Sequence, residues 1–353
     1  MSEAPSLDRL DPPAPTEEQR ATVPSLPSRL RIGEFGWVWV GLLAVYVLSA
    51  VFAPGTMRVN SLVAAMPFTA ILAIVAAGQT LVIQQRGLDL SVPGVVTIAA
   101  ILMTKVGTAH DSALAGVAAA LAVAAAVGLA NGLIVTSLSI TPLVATLATN
   151  AVLVGAAYAI SGGAYTTATQ GWVDFTRDRI LGVPVPVLFA VALVAALAWV
   201  FRKSVFGRRF VAAGASPGAA RAAGFRFRRY QIVAYVACSM CAALGAVLLA
   251  GVTGAATPDL GTPYLFAPIT AVIVGGTLFT GGRGSLVATA GGALLLSQLS
   301  QLTLALGAPA STQLFVTAGA LVLSVSLRYL SFGPARNYVK GRLRAHRDAE
   351  GGH

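Results

Sequence analysis

Apolar residues run along this chain in long unbroken stretches with brief charged punctuation. The pattern is neither the alternation of a half-buried strand nor the narrow stripe of a surface helix. Windows free of Asp, Glu, Lys and Arg cover residues 35–57, 59–85, 90–104, 112–173, 180–201, 230–258, 260–282 and 284–327. A charge at mid-bilayer costs on the order of 3 kcal/mol or more, and a crossing helix needs about 20 apolar residues. Each window therefore predicts a membrane span. Two windows are long enough for a pair, with breaks at Ser139-Ile140-Thr141-Pro142 and at Gly307-Ala308-Pro309, where Pro and Gly interrupt a helix. The prediction is an all-α polytopic membrane bundle of about ten transmembrane helices.

Composition agrees: 56% of residues are AVILMFWYC and only 10% are charged, against about 25% in soluble domains. The net charge of +11 would suggest nucleic acid in a soluble chain, but its placement follows the positive-inside rule and implies membrane lipid and no nucleic acid. Of the charged residues, ten lie in 1–34, eight in 202–229 and eight in 328–353. The 202–229 loop is wholly cationic, so it and the basic C-terminal segment are expected on the cytoplasmic side. An even span count puts the N-terminus there too. The expected organisation is a disordered cytoplasmic tail over 1–34, with no cleaved signal peptide, a transmembrane domain over 35–328, and a basic cytoplasmic tail over 329–353. The stretch 161–183 falls on the outer face and is long enough for a short surface element.

The chemistry of the chain is defined by what it lacks. Asp89 is the only acidic residue close to a span that could serve proton coupling, and His110, His346 and His353 lie in loops or the tail. No G-x-x-x-x-G-K-[ST] phosphate cradle occurs. Ligand clusters with metal spacing and Ser-His pairs are also missing, so neither a metal site nor a bound cofactor nor an enzyme activity is expected. Cys238-Ser239-Met240-Cys241 has the C-x-x-C form but sits in an apolar span, where small-residue helix packing explains it. Energy for uphill transport would then come from another polypeptide. A sodium-coupled secondary transporter, holding its ion by carbonyls and hydroxyls, and a membrane-embedded enzyme or assembly factor are the rival readings.

A partner that supplies energy needs a cytoplasmic contact. Within 206–225, Ser216 followed by Pro217 predicts a helix start, and Gly224 a helix end. A basic loop that merely obeys the positive-inside rule would have the same composition. Here Gly207, Arg208, Ala212, Gly214, Ala219, Ala220, Arg221, Gly224 and Phe225 resemble, position by position, the segment G-R-x-x-x-A-x-G-x-x-x-x-A-A-x-x-x-G-[IF]. That segment belongs to permease subunits of bacterial ABC importers of the ribose/xylose/arabinose/galactose class, in the wider group that includes branched-chain amino acid permeases. The resemblance implies a cytoplasmic coupling helix that docks on the ATPase. Gly218 departs from it, standing where an acidic residue often precedes the Ala-Ala pair.

Three further segments carry the same resemblance, which covers about residues 60–328. Gly87-Leu88-Asp89-Leu90-Ser91-Val92 resembles G-G-I-D-L-S-V, with Arg86 in place of the first Gly. Asn131-Gly132 through Pro142 to Leu147 resembles N-G-x-x-[VI]-[TA]…P-x-[FIL]-[IV]-x-T-L. Gly275-Gly276-Thr277 and Gly281-Gly282-Arg283-Gly284-Ser285 resemble G-G-T-x-x-x-G-G-R-G-[ST]. Read physically, Gly87 and Pro93-Gly94 open a discontinuous helix whose freed N–H groups need a cap, and Asp89 is placed to cap it or to pair with Arg86. The 90–104 window is too short to cross unaided. Gly275-Gly276 and Gly281-Gly282 permit close helix contact and a tight turn, with Arg283 snorkelling to the interface. Gln79, Asn150 and Gln298 could offer hydrogen bonds to a solute in the pathway, although bonds between helices are the commoner use of such side chains.

The resemblance implies a permease subunit in the bacterial inner membrane that forms the pathway for a monosaccharide. An extracytoplasmic binding protein would deliver the sugar. A separate ATPase, using ATP and Mg, would drive transport, and a second permease subunit, identical or related, would complete the pore. Branched-chain amino acids, nucleosides and autoinducer sugars are the alternatives within the family; the Gly-x-Asp-Leu-Ser and Gly-Gly-Thr…Gly-Gly-Arg-Gly-Ser forms favour pentoses or hexoses.

Overall fold

The apolar windows fold into helices because a backbone inside hydrocarbon must satisfy its own polar groups. The computed structural model describes residues 35–138 and 140–332, so the tail expected over 1–34 and most of the one expected over 329–353 lie outside the described residues. Thirteen α-helices are found among the described residues: α1 (Trp37–Phe52), α2 (Val59–Gln84), α3 (Val92–Ala109), α4 (Ala113–Ser137), α5 (Pro142–Ser161), α6 (Gln170–Arg177), α7 (Val185–Lys203), α8 (Val205–Ala215), α9 (Pro217–Ala222), α10 (Phe227–Thr253), α11 (Ala267–Val274), α12 (Leu286–Ala305) and α13 (Ala310–Phe332). Each of the ten expected spans contains a helix. Seven of these helices, α2, α3, α4, α5, α7, α10 and α12, are long and apolar enough to cross a membrane.

The breaks fall where Pro and Gly placed them. α5 begins on Pro142 and α13 follows Gly307, whose φ is +78°. α3 runs past Lys105, whose ammonium reaches the Ile160 carbonyl at 2.6 Å, and so becomes longer than its charge-free window. α13 continues to Phe332, so the boundary expected at 328 falls inside a helix.

The 260–282 window departs most from a simple span. Its helix, α11, has only eight residues. Before it, the chain is irregular except for a single 3-10 turn at Thr262–Tyr264, and after it residues 275–285 are irregular. Pro263, Pro268 and Gly275-Gly276 account for the interruptions. The exposed backbone is satisfied by protein: Gly261 N–H donates to the Thr97 hydroxyl (3.0 Å), and Gly282 N–H to the Gln84 carbonyl (2.8 Å). Irregular backbone inside a membrane bundle is tolerated only under such cover.

The core lies where α10 packs against α2, α3 and α4. Small residues set the approach: a Cβ on Gly78 would lie 2.8 Å from the Cys241 Cβ, and one on Gly128 would lie 2.6 Å from the Val236 Cα. Cys238 and Cys241 are both buried in this contact, as free thiols in a helix seam. Outward faces carry bare apolar side chains, among them Leu43, Trp199 and Phe315, as lipid contact requires. At one end of α7, α6 is fastened by Trp172 Nε1 to the Val247 carbonyl (3.0 Å) and by Arg177 Nε to the Val252 carbonyl (2.9 Å). Beside it, β1 (Thr166–Thr167) pairs with β4 (Ala255–Ala256), and β2 (Arg179–Ile180) with β3 (Val183–Pro184). This is the short surface element expected of 161–183. The other end of α7 leads directly into α8 and α9.

Candidate functional site

The segment 205–225 is built from two capped helices. Ser204 Oγ accepts the Gly207 N–H (2.9 Å) to start α8, and Ser216 Oγ accepts the Ala219 N–H (3.3 Å) to start α9, with Pro217 in its first turn. Gly224, at φ +78°, closes α9; its N–H donates to the Arg221 carbonyl (3.0 Å) and the next N–H, of Phe225, to the Ala220 carbonyl (2.8 Å). α8 buries Gly207, Phe210, Ala213 and Gly214. Phe210 stacks edge-on with Phe201 at 4.7 Å, and Phe206 lies 5.6 Å from the Tyr230 ring. Ala220 anchors α9, whereas Ala219, Arg221, Arg208 and Gly218 stand exposed. Arg209 sits 5.3 Å over the Phe225 ring.

α8 rests on the end of α2. Gln85 Nε2 donates to the Phe210 carbonyl (2.8 Å), Arg86 Nε to the Gly214 carbonyl (2.8 Å), and Arg86 Nη2 to the Ala215 carbonyl. The 275–285 loop closes the same junction. A Cβ on Gly282 would lie 2.4 Å from the Ala215 Cα, one on Gly284 would lie 2.4 Å from Gln84 Nε2, and one on Gly275 would lie 2.6 Å from the Ala288 carbonyl oxygen. Thr277 is buried and donates its N–H to Val272 (3.1 Å); Gly276 has φ +107°, and Arg283 is exposed at the loop.

A few residues on, a buried polar chain begins. Asp89, 2% exposed, accepts the Ser91 N–H (2.9 Å) and the Ser91 hydroxyl (2.6 Å) on one oxygen. Ser91 Oγ accepts from Asn131 Nδ2 (2.8 Å), and Asn131 Oδ1 accepts from the Thr149 hydroxyl (2.6 Å). Leu90 N–H donates to the Thr146 hydroxyl (2.9 Å), and that hydroxyl donates to the Pro142 carbonyl (2.8 Å). Gly87 packs under the Tyr235 hydroxyl and Gly132 against Ile232. Asp89 thus braces the entrance to α3 without capping it: it bonds Ser91, the residue before the helix, while the Gly94 N–H of the first turn goes to Asn150. The alternative partnership with Arg86 is not made: Arg86 turns the other way, to the carbonyl-rich end of α8, while Asp89 points into the bundle.

Residues 84–94 are therefore a hub. The motifs around Gly87, Asn131 and Pro142 meet on one side of it, and those around Gly214 and Gly282 on the other. Gln79, Asn150 and Gln298 are not brought together. Gln79 faces α10, where Cys238 Sγ lies 3.5 Å from its Oε1; Asn150 accepts the Gly94 N–H (2.8 Å) and joins α5 to α3; Gln298 donates to Ser49 (2.9 Å) and joins α12 to α1. Sequence reasoning passed over Gln84, Gln85 and Thr149. The run Gln84-Gln85-Arg86, three long polar side chains ending an apolar helix, was the available signal.

Residues 61–325 match the family described as branched-chain amino acid transport system / permease component. The ribose import permease protein RbsC of Escherichia coli (strain K12) is 32% identical over 294 residues, covering 81% of this chain and 91% of the relative. RbsC of Bacillus subtilis (strain 168) is 28% identical over 292 residues, 82% of this chain and 91% of the relative. The autoinducer 2 import system permease protein LsrD of Photorhabdus temperata is 28% identical over 331 residues, 90% of this chain and 98% of the relative. No solved structure matches the chain.

Proposed function

The chain belongs to the family of branched-chain amino acid transport system permease components, and from that premise we propose that it forms the translocation pathway of an ATP-binding-cassette importer for a monosaccharide. The ribose permeases among its relatives support the sugar. Autoinducer 2 is the second reading, favoured by the 90% of this chain that LsrD matches. In this reading about ten helices lie in the inner membrane with both termini inside, a binding protein delivers the solute from outside, and a second permease subunit completes the pore. The ATPase, with its ATP and Mg, docks on α9.

The observation that carries the docking assignment is the asymmetry of α8–α9: one face is hydrogen-bonded to the end of α2, and the other offers Ala219 and Arg221 to a partner. ATP-driven closure of the paired ATPases would displace α9 and bias the pore between inward-facing and outward-facing states.

Arg221→Glu tests this. Reversing a charge at a docked interface costs enough to lower uptake roughly tenfold or more, while membrane insertion stays normal because the side chain is exposed. Uptake would be measured in vesicles holding permease, ATPase and binding protein. Unchanged uptake would count against docking at α9. Gly224→Trp is less suited, since its φ of +78° strains any larger residue before a partner is involved.

A further inference from the structure

Resting on the importer reading, we propose that Arg86 is a positioning residue for coupling: a strut that passes displacement of α8–α9 into the break between α2 and α3. Its backbone is the first sign. Arg86 has φ +61°, in the left-handed region that favours glycine, and it stands where the resembling motif has Gly. An arginine held there is balanced by what its side chain reaches.

Its guanidinium donates to the carbonyls of Gly214 and Ala215, the last two of α8. Those carbonyls have run out of intrahelical partners and lie at the negative end of the helix dipole, where a cation is favoured. The next residue, Ser216, is the N-cap of α9. Arg86 therefore grips the hinge between the two helices. Its aliphatic stem lies against Gly281, where a Cβ would come within 2.4 Å of Arg86 Cγ, so the 281–282 turn is wedged into the same joint.

The other end of the strut is short and anchored. Within five residues the chain reaches Leu90, bonded to Thr146 on α5, and Ser91, bonded to Asn131 on α4. Gly87 holds the Val82 carbonyl (3.0 Å), so the segment leaves α2 without slack. A shift at Ala215 is thus delivered to α4 and α5 through a short segment in which Leu90 and Ser91 are bonded across helices.

The test is hydrogen exchange on the complex of this chain with its ATPase in lipid nanodiscs, with and without ATP and vanadate to trap the closed ATPase. In the wild type, trapping is expected to change protection at both 205–225 and 86–94. Arg86→Gly, which suits φ +61° and should melt no lower than the wild type, is expected to keep the change at 205–225 while that at 86–94 shrinks at least about threefold. Arg86→Lys, with one ammonium in place of a planar fork, is expected to keep part of it. An undiminished change at 86–94 in Arg86→Gly would overturn the strut, as would a wild-type change confined to 205–225. No wild-type change at 205–225 would overturn the docking reading itself, and the strut with it.

Discussion

At Gly214 a Cβ would stand 2.0 Å from the Gln84 carbonyl oxygen and 3.1 Å from the Gly282 nitrogen. The glycine therefore serves α8 itself, which lies backbone to backbone on the end of α2. Gly214→Ala is expected to cost about 1–3 kcal/mol by forcing that contact apart, read as a lower unfolding midpoint in detergent. Gly218, exposed on α9, has nothing within 4 Å of its Cβ position. Gly218→Ala should leave stability within about 0.5 kcal/mol; an equal loss in both variants would show that the contact is not the cause. The sequence matches Gly214 to the coupling segment and sets Gly218 apart from it, but a glycine required by a neighbouring backbone looks the same as one required by a docking partner. Arg86 was hidden for a related reason. Its partners are carbonyls 128 and 129 residues away, and backbone acceptors leave no trace in side-chain identity.

The helices whose limits are set by local chemistry are legible: Pro142 opens α5, Ser216-Pro217 opens α9, and Gly307 separates α12 from α13. The half-length α11 was not, because a charge-free window records apolarity and not whether its backbone finds partners elsewhere, as Gly261 does on Thr97. The same holds for the entrance to α3. The break suggested Asp89 as a cap, but its carboxylate holds Ser91 ahead of the helix and Asn150 takes the first-turn N–H. The chain from Ser91 through Asn131 to Thr149 joins three helices and needs the fold to see. Hydrogen bonds between membrane helices average about 0.6 kcal/mol, with the strongest near 1.7. Asn131 takes part in two, so Asn131→Ala is expected to cost about 1–2 kcal/mol. Ser91→Ala, whose hydroxyl also takes part in two, should cost about as much, and the double variant less than the sum of the two, since the residues share one bond. Denaturant unfolding of all three in mixed micelles measures the cycle. Strict additivity would mean that Ser91 and Asn131 act independently.

For the whole molecule, the apolar windows identified a helical membrane bundle, and the clustering of cations predicts its direction. The fold adds a constraint that charge counting lacks: α7 joins the α6 surface element to α8–α9, so these two structures occupy opposite ends of one helix. If α7 crosses the bilayer, they must face opposite compartments, whatever the number of shorter helices that also cross. The positive-inside rule predicts that the α8–α9 end faces inward, because the eight cations of 202–229 lie there. Single cysteines can read this out against a quiet background, since Cys238 and Cys241 are 0% and 5% exposed. Leu181, 99% exposed in the turn between β2 and β3, is expected as Leu181→Cys to react with a membrane-impermeant maleimide in intact spheroplasts. Arg226→Cys, exposed just before α10, should react only after permeabilisation. Reversed labelling would invert the bundle and place α9 beyond reach of any cytoplasmic ATPase. Labelling of both sites from outside would mean that α7 does not span the membrane.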